Sequence, residues 1–149
     1  MITNVHAAGL ESHQPLTRLL DENHRFSHLD VDLLVLGARA RNRGLLLAQM
    51  RYRKGRRAPY IILPEEICLP GMLKVPYITY GYSARAHIHP REISDEWVCI
   101  RTPLGDLTLE RAWALEDMLA AVALGLALRL TPEAMGLLLD PRRDLPQAA

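Results

Sequence analysis

From Met118 to Leu128 the chain carries no charged side chain over 11 residues, inside a segment with the pattern of a long helix. A helix through this stretch is apolar on every face, so its place is in a core rather than on a surface. It is too short for a bilayer, which takes about 20 apolar residues to cross. At 149 residues the chain has about one domain's worth of sequence, enough to bury roughly 70% of its unfolded surface. A hydrophobic share of 49%, a charged share of 23% and a net charge of +1 exclude disorder. They also exclude a strongly basic nucleic-acid coat. MITNVHAAGLESHQP has no basic cluster ahead of an apolar stretch, and two cysteines make no disulfide framework. A cytoplasmic single domain over 1–149, ordered over about 12–140, is therefore expected.

The order of elements reads as α+β. Pro15 to Phe26 suits a short helix, with a first-turn proline and the stripe Leu16, Leu19, Leu20. Val31 to Leu36 is a short apolar run closed by Gly37. Leu46 to Tyr52 alternates like a half-buried strand, Lys54-Gly55-Arg56 reads as a hairpin turn, and Tyr60 to Leu63 reads as its return. Val75 to Tyr80 is a fourth strand. Short links between these runs predict a four-stranded antiparallel meander. Thr108 or Asp106 would cap the long helix, which runs to about Arg129, and Thr131-Pro132-Glu133 restarts a second one.

Between them, Gly81 to Gly105 reads as a long structured loop, and loops of that length usually carry function. Three readings of it stand side by side. As a metal site, His87 and His89 project to one side of an extended segment, with Glu96 or Cys99 as further ligands; no histidine follows His89 to complete the set. As packing, His89 and Cys99 tie the loop down, and a cysteine between Val98 and Ile100 acts as a small hydrophobe. As a catalytic segment, Cys99 is the nucleophile. Arg91 and Arg101 then bracket it in sequence as donors to an oxyanion, and Asp95, Glu96 or Asp106 takes a proton from an attacking amine. Cys68 lacks such neighbours and reads as packing.

His89-Pro90-Arg91 followed by Val98-Cys99-Ile100, with Cys99 nine positions after Pro90, resembles the active-site segment of ubiquitin-conjugating enzymes. That family carries a His-Pro-Asn motif and then, at this spacing, a triplet of the Ile-Cys-Leu kind. Helix, four-strand meander, the proline-containing lead-in Lys74 to Ile78, motif and helix follow in the family's order over roughly Pro15 to Leu139. Arg91 stands where the family has asparagine, a departure shared with divergent bacterial members found in antiphage operons. The resemblance implies a ubiquitin-like modifier carried as a thioester on Cys99 and passed to an amine. His89, Arg91, Asp95 and Asp106 would assist.

The implied partners are the modifier, a ubiquitin-activating-enzyme-like protein docking on Pro15 to Phe26 through Arg18 and Arg25, and a target amine. Neither a cofactor nor a metal is implied, and neither a membrane nor nucleic acid. An alternative is a non-catalytic interaction module of the same fold. It would bind partners through Arg39 to Arg57, which holds eight basic residues and no acid.

Overall fold

The structure, a computed structural model, describes residues 4–20, 25–26, 32–40, 60–67 and 76–143. Two sheets share the described chain. The first is five-stranded and wholly parallel, in the order β2-β1-β3-β4-β5. Its strands are β1 (Asn4–Ala8), β2 (Arg25–Phe26), β3 (Leu33–Leu36), β4 (Tyr60–Pro64) and β5 (Tyr77–Tyr80). The second is antiparallel, β6 (His89–Ile93), β7 (Trp97–Thr102) and β8 (Gly105–Glu110). Helices α1 (Gln14–Leu19), α2 (Leu115–Ala127) and α3 (Pro132–Leu138) complete it.

A parallel sheet is covered on both faces, so its strands read as continuous apolar runs rather than alternating ones. Every residue of β3 is buried. Val35 and Leu33 face the same cluster as Val5, Ile62, Ile78, α1, α2 and α3, while Leu34 and Leu36 join Ile61 and Leu63 on the opposite face. In register, Val35 lies opposite Ile62, and Ile62 opposite Ile78. The chain passes from β3 to β4 over residues 37–59 and from β4 to β5 over 65–76, lengths that suit the crossovers parallel pairing requires. The expected antiparallel meander is thus corrected: the runs at 33–36, 60–64 and 77–80 are strands, but all run the same way. The alternating segment Leu46 to Tyr52, its hairpin turn and Cys68 lie outside the described residues.

Three further expectations change. The first helix ends at Leu19, because Leu20 is already extended (φ −90°, ψ 130°), and Phe26 belongs to β2. Gly81 to Gly105 is not a loop: it holds β6 and β7. Asp106 and Thr108 cap nothing, since they lie in β8 and α2 starts at Leu115. The buried character of α2 stands as expected, with Met118 to Gly125 all buried. Thr131 caps α3 as expected, its hydroxyl accepting the Ala134 N–H at 3.1 Å. The inner face of the antiparallel sheet, Val98, Ile100, Leu107 and Leu109, enters the same core as α2. Among the described residues no helix is long and apolar enough to cross a membrane.

Where β1 and β3 end, the chain crowds itself. Gly9 sits at φ +77°, and a Cβ on Gly37 would run into the carbonyl of Gly9 and the amide of Leu10. The Gly37 N–H donates to Ala8 O at 2.7 Å and the Arg39 N–H to Gly9 O at 3.1 Å. Since the atoms in the way are backbone, Gly37→Ala should destabilise the chain by about 2 kcal/mol or more, measured by urea denaturation. A variant as stable as the parent would show that the two loops are not in contact.

Candidate functional site

Two clusters of chemistry-bearing side chains stand out in the described residues. The first lies on the outer face of the antiparallel sheet. Residues paired across strands point the same way, so His89, Arg101 and Asp106 share that face with Glu92, Cys99 and Thr108. The pairing slips between Pro90 and Glu92, leaving Arg91 as the extra residue of a bulge. A bulge re-aims the side chain it carries. Arg91 reaches across β7 to donate from Nη1 to Asp106 Oδ2 at 2.7 Å, and Arg101 Nε donates to Oδ1 at 3.2 Å.

The structure therefore brings Arg91, Arg101 and Asp106 together around the half-buried Cys99. His89 is opposite Arg101, and its Nδ1 donates to Ala86 O at 3.0 Å. Asp95 and Glu96 are exposed at the β6–β7 turn, the opposite end of the hairpin from Asp106. Both oxygens of Asp106 are held by guanidinium groups, first by the hydrogen bond from Arg101 and then by that from Arg91. These bonds keep its carboxyl below the usual carboxylate range. Among the described residues no three His, Cys, Asp or Glu side chains are placed to hold a metal ion.

The second cluster was not singled out from sequence. In open α/β sheets ligands bind outside the carboxyl ends of the strands, where neighbouring connections diverge. Here β1 leads out to β2 on one side while β3 leads to β4 on the other, so that point falls between β1 and β3. Around this edge stand Glu11 after β1, Arg39 after β3, Glu65 and Glu66 after β4, Tyr82 after β5, and Glu116 with Asp117 in the first turn of α2. Asp117 is buried and accepts the N–H groups of Glu11 at 3.2 Å and Ser12 at 2.7 Å. Burial pushes its carboxyl up, and the two backbone donors pull against that shift. Tyr80, fully buried, donates its phenol to Leu36 O at 2.7 Å across the end of β4. Its phenol is raised by burial first and then by the charges of Asp117, Glu116 and Glu66.

Tyr82 Oη donates to Glu116 Oε1 at 2.7 Å. Glu65 packs against Gly81, where a side chain would meet its carboxyl, and Glu65 Oε2 is buried with no partner among the described residues. Five carboxylates, Glu11, Glu65, Glu66, Glu116 and Asp117, thus stand around this end of the sheet. They come from three separate stretches of chain, which is why spacing along the sequence did not reveal them. The available signal was the pairing of an apolar run with a closing glycine, Val5 to Gly9 and Leu33 to Gly37.

With this geometry in place, comparison with known proteins identifies the fold. No protein-family model and no curated protein matches the chain. Solved structures of Mur ligases do. Two crystal structures of MurF from Acinetobacter baumannii each align at TM-score 0.67 and 13% identity, covering 96% and 97% of this chain. A structure described as the UDP-N-acetylmuramoylalanyl-D-glutamyl-2,6-diaminopimelate–D-alanyl-D-alanyl ligase of the same organism aligns at 0.67 with 14% identity. At that identity the likeness is one of fold. The chain spans about 46% of the length of the MurF chains.

This overturns the ubiquitin-conjugating resemblance, and with it the thioester transfer, the modifier and activating-enzyme partners and the antiphage setting. The conjugating-enzyme reading required an antiparallel meander ahead of the cysteine, and this chain has a parallel sheet there. The Arg-rich stretch behind the alternative reading lies outside the described residues beyond Ala40.

One consequence of the outer-face geometry is measurable. The folded carboxyl of Asp106 titrates below its unfolded value, so its ion pairs stabilise the chain above about pH 4. That contribution is lost as pH falls through the folded value. In an NMR titration, Arg101→Ala should move the Asp106 carboxyl back up toward the ordinary range. An unmoved titration would show that Arg101 does not hold it.

Proposed function

We propose that this chain is a Mur-ligase-type unit acting in amide-bond formation on a UDP-linked muramoyl peptide. The observation that carries the reading is the alignment of nearly the whole chain, both sheets included, with less than half of MurF at TM-score 0.67. Joining a carboxylate to an amine in water runs uphill, so a ligase couples it to cleavage of a nucleoside triphosphate. The attacking amine arrives as an ammonium and must lose a proton, work that suits a carboxylate. Glu11, Glu65, Glu66 and Glu116 at the carboxyl ends of the parallel strands supply such groups where ligands of this fold class bind. In this reading Glu116, positioned by Tyr82, faces the amine component, and the loops after β1 and β3 form the wall of the cleft.

The test is incubation of the chain with UDP-N-acetylmuramoyl-tripeptide, D-alanyl-D-alanine and MgATP, with mass spectrometry for the ligated product and equilibrium dialysis for each substrate. The reading predicts saturable binding of the UDP-linked peptide or formation of the product. It also predicts at least about a tenfold loss of that signal in Glu116→Gln, equivalent to roughly 1.4 kcal/mol. Neither product nor saturable binding of either substrate would refute it.

A further inference from the structure

The free edge of β5 is closed by the chain that leaves it. Residues of a parallel strand direct their N–H and C=O alternately to either neighbour. Ile78 and Tyr80 serve β4, so Thr79 turns both groups outward. Its carbonyl accepts the Ile88 N–H at 3.1 Å, and Gly81 N–H donates to Ile88 O at 3.0 Å. A strand would normally satisfy the Thr79 N–H. Here an imidazole does: Thr79 N–H donates to His87 Nδ1 at 3.0 Å, with Thr79 Oγ1 at 3.2 Å from the same nitrogen. The His87 N–H donates back to Thr79 Oγ1 at 3.2 Å.

We propose that His87 is an acid-labile clasp that holds segment 81–88 against the edge of β5. A ring nitrogen that accepts from a backbone N–H carries no proton of its own, so the neutral ring is the Nε2–H tautomer. Protonation of Nδ1 turns the acceptor into a donor facing a donor. The Thr79 N–H then loses its partner, and an edge that was blocked presents a free backbone donor. The ring is exposed, so a proton reaches it without unfolding.

His89, two residues on, provides the contrast. Its Nδ1 donates to the Ala86 carbonyl, a bond that survives protonation. The titratable and charged groups on the elements packed about this segment are Tyr77 on β5, Glu65 and Glu66 after β4, and Glu116 and Asp117 on α2. Tyr82 and Arg85 lie within the segment itself, and His89 follows it at the start of β6. Tyr77 meets the His87 ring directly, centroid to centroid 6.1 Å at a tilt of 57°. Because the same segment carries Tyr82, whose phenol donates to Glu116, loosening the clasp also loosens that contact at the carboxyl end of the sheet.

NMR on the full chain tests this. At neutral pH the ¹⁵N shifts of His87 should show an unprotonated Nδ1. Acidification through the ring's own titration should lower the protection factor of the Thr79 amide at least about tenfold. The sheet amides of Ile62 and Ile78 should stay within about twofold. His87→Asn, whose Oδ1 sits where Nδ1 does and takes up no proton, should keep Thr79 protected at both pH values. A neutral ring protonated on Nδ1 would overturn the clasp. So would Thr79 protection that is constant across the titration, or an equal fall in His87→Asn.

Discussion

A parallel sheet has no solvated face, and the described fold is organised by that requirement. The strands β3 and β4 bury side chains to both sides, so each face needs a cover drawn from elsewhere in the chain. On one face the cover is α2. A helix in that position touches the strands beneath it and α1 beside it, in one core with the inner face of the antiparallel sheet, and nothing polar fits on most of its surface. This accounts for a charge-free run in a protein whose surface is otherwise rich in arginine. Asp117 is the buried acid of this helix, and it is used: its two oxygens hold the chain leaving β1. One residue thereby joins the core helix to the loop that follows β1.

The antiparallel sheet follows the opposite rule. One face enters the shared core, with α3 against β8, and the other meets water, giving the alternation of Val98, Ile100 and Thr102 inward with Cys99 and Arg101 outward. Arg91, Arg101 and Asp106 form an ionic network across three strands on the solvated face. Its members are about half exposed, so its contribution to folding is small. The same alternation sets a cysteine, a histidine, two arginines and an acid near one another. Their proximity in sequence reflects a hairpin register, and a grouping of that kind arises in any charged two-sided sheet.

Local signals were legible where local chemistry decides the outcome. The cap and first-turn proline of α3, the burial of α2 and the apolar runs of β3, β4 and β5 all follow from residues close in sequence. Strand direction does not, because a buried run such as Leu33-Leu-Val-Leu36 is equally apolar whichever way its neighbour runs. β6 was hidden by Pro90 and by the bulge at Arg91, which break its period of two; β7 and β8 alternate openly and were obscured by the prolines around them. The carboxyl-end site was illegible for a different reason. Glu11, Glu65, Tyr82 and Glu116 meet only once the sheet order is known, and that order is a long-range property. The oppositely charged contact of Glu11 with Arg39, at 4.0 Å between two exposed side chains, illustrates how weakly such pairs announce themselves.

The claim on which the rest turns is that these strands run parallel in one five-stranded sheet. Backbone NOE spectroscopy measures it directly. The account predicts parallel-type contacts between α and amide protons in the register that sets Val5 opposite Leu33, Val35 opposite Ile62 and Ile62 opposite Ile78. Close pairs of α protons between β3 and β4 or between β4 and β5, the mark of antiparallel neighbours, would contradict it.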